Sequence, residues 1–328
     1  MSVPISQDAI AVGRPIVTHR TTFGQKIWQA RWLYLFMLPS LILTAMFTFY
    51  PIFASWFFSL HQWAGFTTPP FFIGMQNYTE VVQDSYFWNA FRNSFVFMLT
   101  SVPIKLTLAL IIAIVLNDRA LRLAPVFRTL FFIPVVTTTA IVGIVWTFIM
   151  SPFNGPINTV LLDMHLITRP IDFLGEPGKS LFSVVAVEIW KWLGQPMIYW
   201  LAALQTIPLA LYEAAKVDGA NGWRQFIHIT APLLKPFAII IILITAVGTL
   251  NVFALVQTMT NGGPFFSSEV MEVYIYRTAF GASNSTTLPR IGYASAAAVF
   301  FGISVMFLAV LQAIAGRRFA RNRQEISA

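Results

Sequence analysis

The sequence predicts an all-α polytopic membrane protein with six transmembrane helices and both termini cytoplasmic. Three observations carry that expectation. The 328 residues are 57% hydrophobic and only 10% charged, with a mean hydropathy of +0.69, and a soluble domain cannot cover its surface with so few charges. Six apolar stretches, 33–60, 91–116, 126–150, 181–206, 237–260 and 291–315, each reach the roughly 20 residues that a helix needs to cross a bilayer core. The Lys and Arg residues concentrate in alternate connections, which orients the chain by the positive-inside rule.

Composition also excludes whole classes of chemistry. The chain has no cysteine, which removes disulfides, thiol nucleophiles and cysteine metal sites. His19, His61, His165 and His228 are scattered, without metal-ligand spacing. A net charge of +8 without a soluble basic face gives no footprint for nucleic acid; the lipid bilayer is the expected surroundings. Residues 1–31 are polar, and the apolar run after them is too long for the core of a secretory signal. It is expected as an uncleaved first span. The chain then divides into a cytoplasmic tail over 1–31, a six-span domain over 32–316 and a second cytoplasmic tail over 317–328.

Each span follows from its run of apolar residues. Pro39, Pro51, Pro103, Pro134 and Pro196 fall inside them, where neighbouring helices can satisfy the freed backbone groups. Arg14, Arg20, Lys26 and Arg31 precede the first span. Arg119, Arg122 and Arg128 lie in the second connection, Lys216, Arg224 and Lys235 in the fourth, and Arg317, Arg318, Arg321 and Arg323 after the last span. With six spans these four regions share the cytoplasmic side. The opposite connections dilute Arg92, Arg169, Lys179, Arg277 and Arg290 with seven acidic residues, Glu80, Asp84 and Glu269 among them. They are long and rich in Pro, Gly and aromatic residues, as in the run beginning at Thr67 and in 261–266. Two readings fit them: ordered caps that offer a landing surface outside the cell, or interfacial loops carrying an aromatic belt. Small residues over 292–298 suit close helix packing.

The stretch 213–236 is the one polar insert that a chain so apolar has to explain. Asp218-Gly219-Ala220-Asn221-Gly222 is a turn signal. Residues 211–217 before it read as a short helix with Glu213 near its start, where a carboxylate suits the helix dipole. Residues 223–229 read as a second short helix, which Pro232 and Pro236 are expected to close before the fifth span. Small residues Ala214, Ala215 and Gly219 permit close approach of a partner, and Trp223 and Phe226 offer apolar anchors. An interfacial amphipathic helix with no partner fits the same pattern.

A resemblance bears on that choice. Glu213-Ala214-Ala215, Gly219, Ile229 and Pro232 match the E-A-A-x-x-x-G…I-x-x-P signature of ABC importer permeases, with Ala231 where the signature has Leu. The runs 73–78, 93–94, 207–208, 260–264 and 292–296 are also similar to the carbohydrate-uptake, maltose-type permeases, so the likeness extends over nearly the whole chain from about residue 30. The resemblance implies a cytoplasmic coupling helix between the fourth and fifth spans, within an element over 207–236, that docks on an ATPase. Contacts are expected from Glu213, Ala214, Ala215, Asp218, Gly219, Trp223, Phe226, Ile229 and Pro232. It further implies a second homologous permease subunit, two ATP-binding subunits, an extracytoplasmic sugar-binding protein, a sugar substrate and a cytoplasmic (inner) membrane location in a prokaryote. ATP and Mg would sit on the partner ATPase subunits. This chain would carry no cofactor and no metal, and would not itself be an enzyme; it has no G-x-x-x-x-G-K-[ST] phosphate loop.

Charges inside the spans form the second candidate group. Lys105 lies midway along the second span. Glu188 and Lys191 stand i,i+3 in the fourth, close enough on one face to pair with each other. A polar lining of the transport path, a structural ion pair and a proton relay are three readings of them. The relay would make the chain an ion-coupled secondary sugar carrier using Glu188 and Lys191, although such carriers usually show internal repeats and none is visible. By the resemblance, Thr139, Trp192, Gly194, Thr245 and Thr249 fall where maltose-type permeases contact sugar, and Asn251 joins them as a polar group of the fifth span. Val135 and Val252 depart from that pattern. Each Thr can equally bond back to its own helix. The sugar itself, whether oligosaccharide, disaccharide or a related polyol, is not specified.

Overall fold

A computed structural model describes residues 31–65, 68–118, 121–281 and 288–326. Arg14, Arg20, Lys26, Thr67 and Arg119 lie outside the described residues, as do the side chains of Arg317, Arg318, Arg321 and Arg323. The chain divides into two compact units, Met1–Ala54 and Ser55–Ala328. In the first, α1 (Arg31–Thr44) passes into a π-helical turn (Ala45–Phe49), and the Thr44 hydroxyl donates to the Ser40 carbonyl at 2.8 Å. Helix α2 (Tyr50–Ser59) continues this run.

The larger unit is helical apart from one two-residue antiparallel ladder, β1 (His61–Gln62) with β2 (Phe71–Phe72). Helix α3 (Gln76–Gln83) leads to α4 (Ser85–Leu116). Then come α5 (Ala124–Val136), α6 (Thr139–Ile149), α7 (Pro156–Asp163), α8 (Ser180–Trp192) and α9 (Gly194–Leu204). The exposed α10 (Leu209–Val217) precedes α11 (Gly222–Gln225), a π turn (Phe226–Thr230) and α12 (Ala231–Thr249). Helices α13 (Phe253–Met259), α14 (Met271–Phe280) and α15 (Ile291–Ile326) complete it.

Helix α4 is the spine. Ala90, Phe97, Ser101, Lys105, Ala109 and Ala113 are buried along one stripe, and the alanines allow close approach of neighbouring backbones. α4 packs on α8, α9 and α12, α6 packs on α13, and α15 packs on α12 and α14. One apolar cluster joins α4 to α9, α12 and α15 through Leu106, Trp200, Ile241 and Ala297. A second joins α6, α8 and α13 through Val142, Val184, Val187 and Val256. Buried Ala294, Ala296 and Ala297 on α15 fulfil the packing expected of the small-residue run.

Among the described residues, 31–59, 85–116, 222–249 and 291–310 are helical runs long and apolar enough to span a membrane. The expected third span is two helices, α5 and α6, bent by 97° at Thr137 and Thr138. Five consecutive β-branched residues, 135–139, follow Pro134; the proline removes a backbone donor and the branched side chains crowd a helical turn. The expected fourth span is likewise two helices, meeting at Leu193.

One expectation is overturned. Pro232 and Pro236 do not close the second short helix. The helical run continues unbroken over 222–249. The π turn makes this possible, because the Ala231 amide bonds the Phe226 carbonyl five residues back. Pro232, which has no amide proton, follows this π turn directly, and Pro236 lies farther along the same helix, where neighbouring helices can cover the freed carbonyls.

Candidate functional site

Two polar regions stand out from the apolar bundle: an exposed turn after α10, and a buried cluster where spans break.

The turn is tightly specified. Gly219 has φ +77°, a conformation that costs a residue with a Cβ roughly 1 kcal/mol or more. The Ala220 amide bonds the Ala215 carbonyl at 2.8 Å and the Gly219 amide bonds the Lys216 carbonyl at 3.1 Å, which is a Schellman closure of α10. Asn221 then caps α11, its Oδ1 accepting from the Arg224 amide at 2.9 Å. Tyr212 and Thr230 hydroxyls meet at 2.9 Å, clamping α10 to the π turn. Glu213, Ala214, Asp218, Gly219, Trp223 and Pro232 are exposed, while Ala215, Phe226 and Ile229 are half-buried. The Trp223 and Phe226 rings stack at 5.8 Å, and Val217, the last residue of α10, is 88% exposed. The sequence-chosen residues are therefore brought together on one outward-facing element.

The buried cluster rearranges what spacing suggested. Glu188 does not pair with Lys191. Its carboxylate lies 2.5 Å from the Lys105 ammonium and accepts from the Ser101 hydroxyl. Lys105 also donates to the Thr249 hydroxyl at 2.9 Å, which in turn donates to the Thr245 carbonyl at 2.8 Å. The pair joins α4, α8 and the end of α12, and both side chains are 3% exposed. Lys191, one turn along α8, donates instead to the carbonyls of Pro134 at 3.1 Å and Thr137 at 2.8 Å. Both lie at the bend between α5 and α6, where the Pro134 carbonyl also accepts from the Thr137 amide at 3.3 Å and hydroxyl at 2.6 Å. The i,i+3 spacing permits a pair, but partners on neighbouring helices outcompete it.

The remaining path candidates divide. Thr139 is half-buried at the start of α6, and Trp192 lies under the Lys191 ammonium, 4.6 Å from ring centre. Gly194 is a close approach: a Cβ there would fall 2.3 Å from the Phe131 carbonyl oxygen. Thr245 and Thr249 are buried, and Thr249 makes the back-bond noted above. Asn251 is exposed and bonds the Val247 carbonyl at 3.2 Å, apart from the charged cluster. Ser101 escaped the sequence reading, although its i,i+4 spacing from Lys105 on α4 was a usable signal.

A third network, also missed, ties the loops beyond the spans. Asp84 caps α4 and accepts from Tyr274 at 2.5 Å and Tyr293 at 2.8 Å. Asn93 donates to the Glu269 carbonyl at 3.0 Å, and Arg277 pairs with Glu269 at 2.6 Å. Burial alone would raise the Asp84 pKa, but hydrogen bonds from Tyr274, Tyr293 and backbone amides outweigh it and hold the carboxyl below its usual value. Burial pushes Glu269 upward, against the opposing pull of Arg277.

The family model described as "Binding-protein-dependent transport system inner membrane component" matches residues 93–321. The probable ABC transporter permease protein YurN of Bacillus subtilis (strain 168) is 35% identical over 280 residues, which cover 85% of this chain and 94% of that one. The lactose transport system permease protein LacF of Rhizobium radiobacter is 34% identical over 286 residues, covering 87% and 93%. A crystal structure of a bacterial ABC transporter that imports the acidic polysaccharide alginate shares the fold, with a TM-score of 0.76 at 23% identity over 90% of this chain and 98% of that one.

Removing one partner of the buried pair strands the other charge. Glu188→Ala is expected to lose about 3–5 kcal/mol of stability, and the paired replacement Lys105→Met/Glu188→Leu to recover most of it; thermal unfolding of the purified protein in detergent reads both. Asp84 has a depressed folded-state pKa, so its contribution is present above the unfolded value of about 3.9 and is lost as pH falls through the folded value. Asp84→Asn should therefore flatten the acid side of a plot of unfolding midpoint against pH.

Proposed function

Because the chain belongs to the family of binding-protein-dependent transport system inner membrane components, we propose that it is the six-span permease subunit of an ABC importer that moves a neutral sugar into the cytoplasm. As a permease component it is a multi-pass inner-membrane protein and not a catalytic one. In this reading α8 and α9 together make the fourth span, α5 and α6 the third, and both termini face the cytoplasm. Two ATP-binding subunits, a second permease and an external sugar-binding protein complete the assembly, with ATP and Mg on the ATPases. The relative named for lactose transport supports a carbohydrate cargo.

The observation that carries the proposal is the rigid, exposed turn after α10. Glu213, Ala214 and Ala215 sit on a helix that Gly219 closes in a Schellman motif, and the helical run that follows it continues from Gly222 to Thr249. At 1.5 Å per residue these 28 residues make a lever about 42 Å long. One end lies beside the turn. The other carries Thr249, bonded to Lys105. Closure of the ATPase pair would push the turn, and the lever would carry that push to the centre of the bundle, where Thr139, Trp192, Gly194, Thr245 and Thr249 are proposed to border the sugar path. Rocking of packed helices between inward-open and outward-open states follows.

A proton relay through Glu188 draws no support from its surroundings, since Lys105 and Ser101 already occupy the carboxylate.

Glu213→Lys combined with Gly219→Asp reverses a charge on the docking face and forces an aspartate into φ +77°. The double variant should insert into the membrane at normal levels yet lose ATP-driven uptake by about tenfold or more, the loss expected when an interface hot spot fails. Normal uptake would refute the lever.

A further inference from the structure

Lys191 is completely buried, yet its ammonium has carbonyl partners where a carboxylate would be expected. The nearest acid on its own helix, Glu188, is held by Lys105 and Ser101. A charge kept inside a bilayer domain marks a place where function outweighs its cost. What Lys191 touches is specific. It binds the Pro134 and Thr137 carbonyls at 3.1 and 2.8 Å, on either side of the 97° bend. These belong to the C-terminal end of α5, where exposed carbonyls and the helix dipole both favour a cation. The same ammonium lies 4.6 Å from the centre of the Trp192 ring, within cation–π range. Two residues beyond Thr137, Thr139 opens α6.

We infer that Lys191 is a positioning residue for the translocated sugar: one ammonium fixes the bend that sets Thr139 at the start of α6 and pins one face of the Trp192 indole, so that two walls of the sugar path hold a common register. This rests on the proposal that Thr139 and Trp192 border that path. Without the cation, the Pro134 carbonyl keeps the Thr137 amide at 3.3 Å and hydroxyl at 2.6 Å, but the Thr137 carbonyl loses the ammonium and regains a partner if the bend relaxes towards a continuous helix, which withdraws Thr139 from the path. An arginine keeps a cation and several donors, and so keeps the bend.

This chain has no cysteine, so an introduced thiol is its only one; the partner subunits are used in cysteine-free form. Thr139→Cys is introduced into the complete importer, reconstituted in lipid nanodiscs so that both faces are accessible. It is treated with a neutral glucosyl methanethiosulfonate, and the rate is expressed relative to Phe153→Cys, an 87% exposed control. With Lys191→Met the relative rate should fall by at least about tenfold, the scale of one lost buried hydrogen bond to a charged group; with Lys191→Arg it should stay within about threefold. If Lys191→Met does not assemble, Lys191→Leu takes its place; it likewise carries neither charge nor donor and is judged by the same ratio. An unchanged rate in the uncharged variant overturns the positioning role and leaves the sugar path standing. A Thr139→Cys that never reacts with Lys191 intact, while Phe153→Cys does, overturns the path reading itself and this inference with it.

Discussion

The bundle depends on a charge pair buried from solvent. Lys105 and Glu188 lie 2.5 Å apart at 3% exposure and come from helices more than eighty positions apart in the chain. Desolvating two ions costs several kcal/mol each, and their attraction offsets that only with good geometry and further hydrogen bonds. Ser101 and Thr249 supply those bonds. The result is a tie between α4, α8 and α12 placed where α12 ends. In a lipid-embedded bundle apolar surfaces do not drive helices together as they do in water, so close packing of small residues and polar ties of this kind carry more of the association. Ala90, Ala109 and Ala113 on α4 provide the first, and Lys105 the second.

Breaks in the helices give this tie its use. The bend after α5 and the gap after α12 each free backbone groups that a bilayer cannot hydrate, and irregular backbone at such depth is tolerated only where protein or a cavity covers it. Lys191 answers the first break through the Pro134 and Thr137 carbonyls. Lys105 stands at the second, on Thr249, and Glu272 meets the first amide beyond it, at Phe253, at 2.6 Å. The buried charges are thus placed at the points where helical continuity fails. In the proposed transporter those points face the cargo, and the α11–α12 lever ends at one of them.

Much of this was legible in the residues. Length and hydropathy located four apolar helical runs and a fifth that is bent, because crossing a bilayer is a demand on composition. Asp218-Gly219-Ala220-Asn221-Gly222 announced its turn, because a left-handed glycine and an asparagine cap act locally. Tertiary choices were not legible in the same way. Hydropathy is blind to direction, so 126–150 read as one span although it bends by 97°. Glu188 and Lys191 looked like partners because spacing along one helix is visible and a lysine on another is not. Pro232 and Pro236 looked like a stop because the π turn that absorbs Pro232 leaves no mark in the sequence. The Asp84–Tyr274–Tyr293 network joins residues some 190 or more positions apart, beyond any local pattern.

The central claim is that work done on an exposed turn by a separate nucleotide-hydrolysing subunit, and not an ion gradient acting on the buried charges, powers movement of a sugar. Uptake by proteoliposomes holding the complete importer, with labelled sugar delivered by its binding protein, tests this most directly. The account predicts accumulation that requires ATP on the ATPase side and persists when the proton gradient is collapsed. Accumulation driven by an imposed pH gradient without ATP would contradict it.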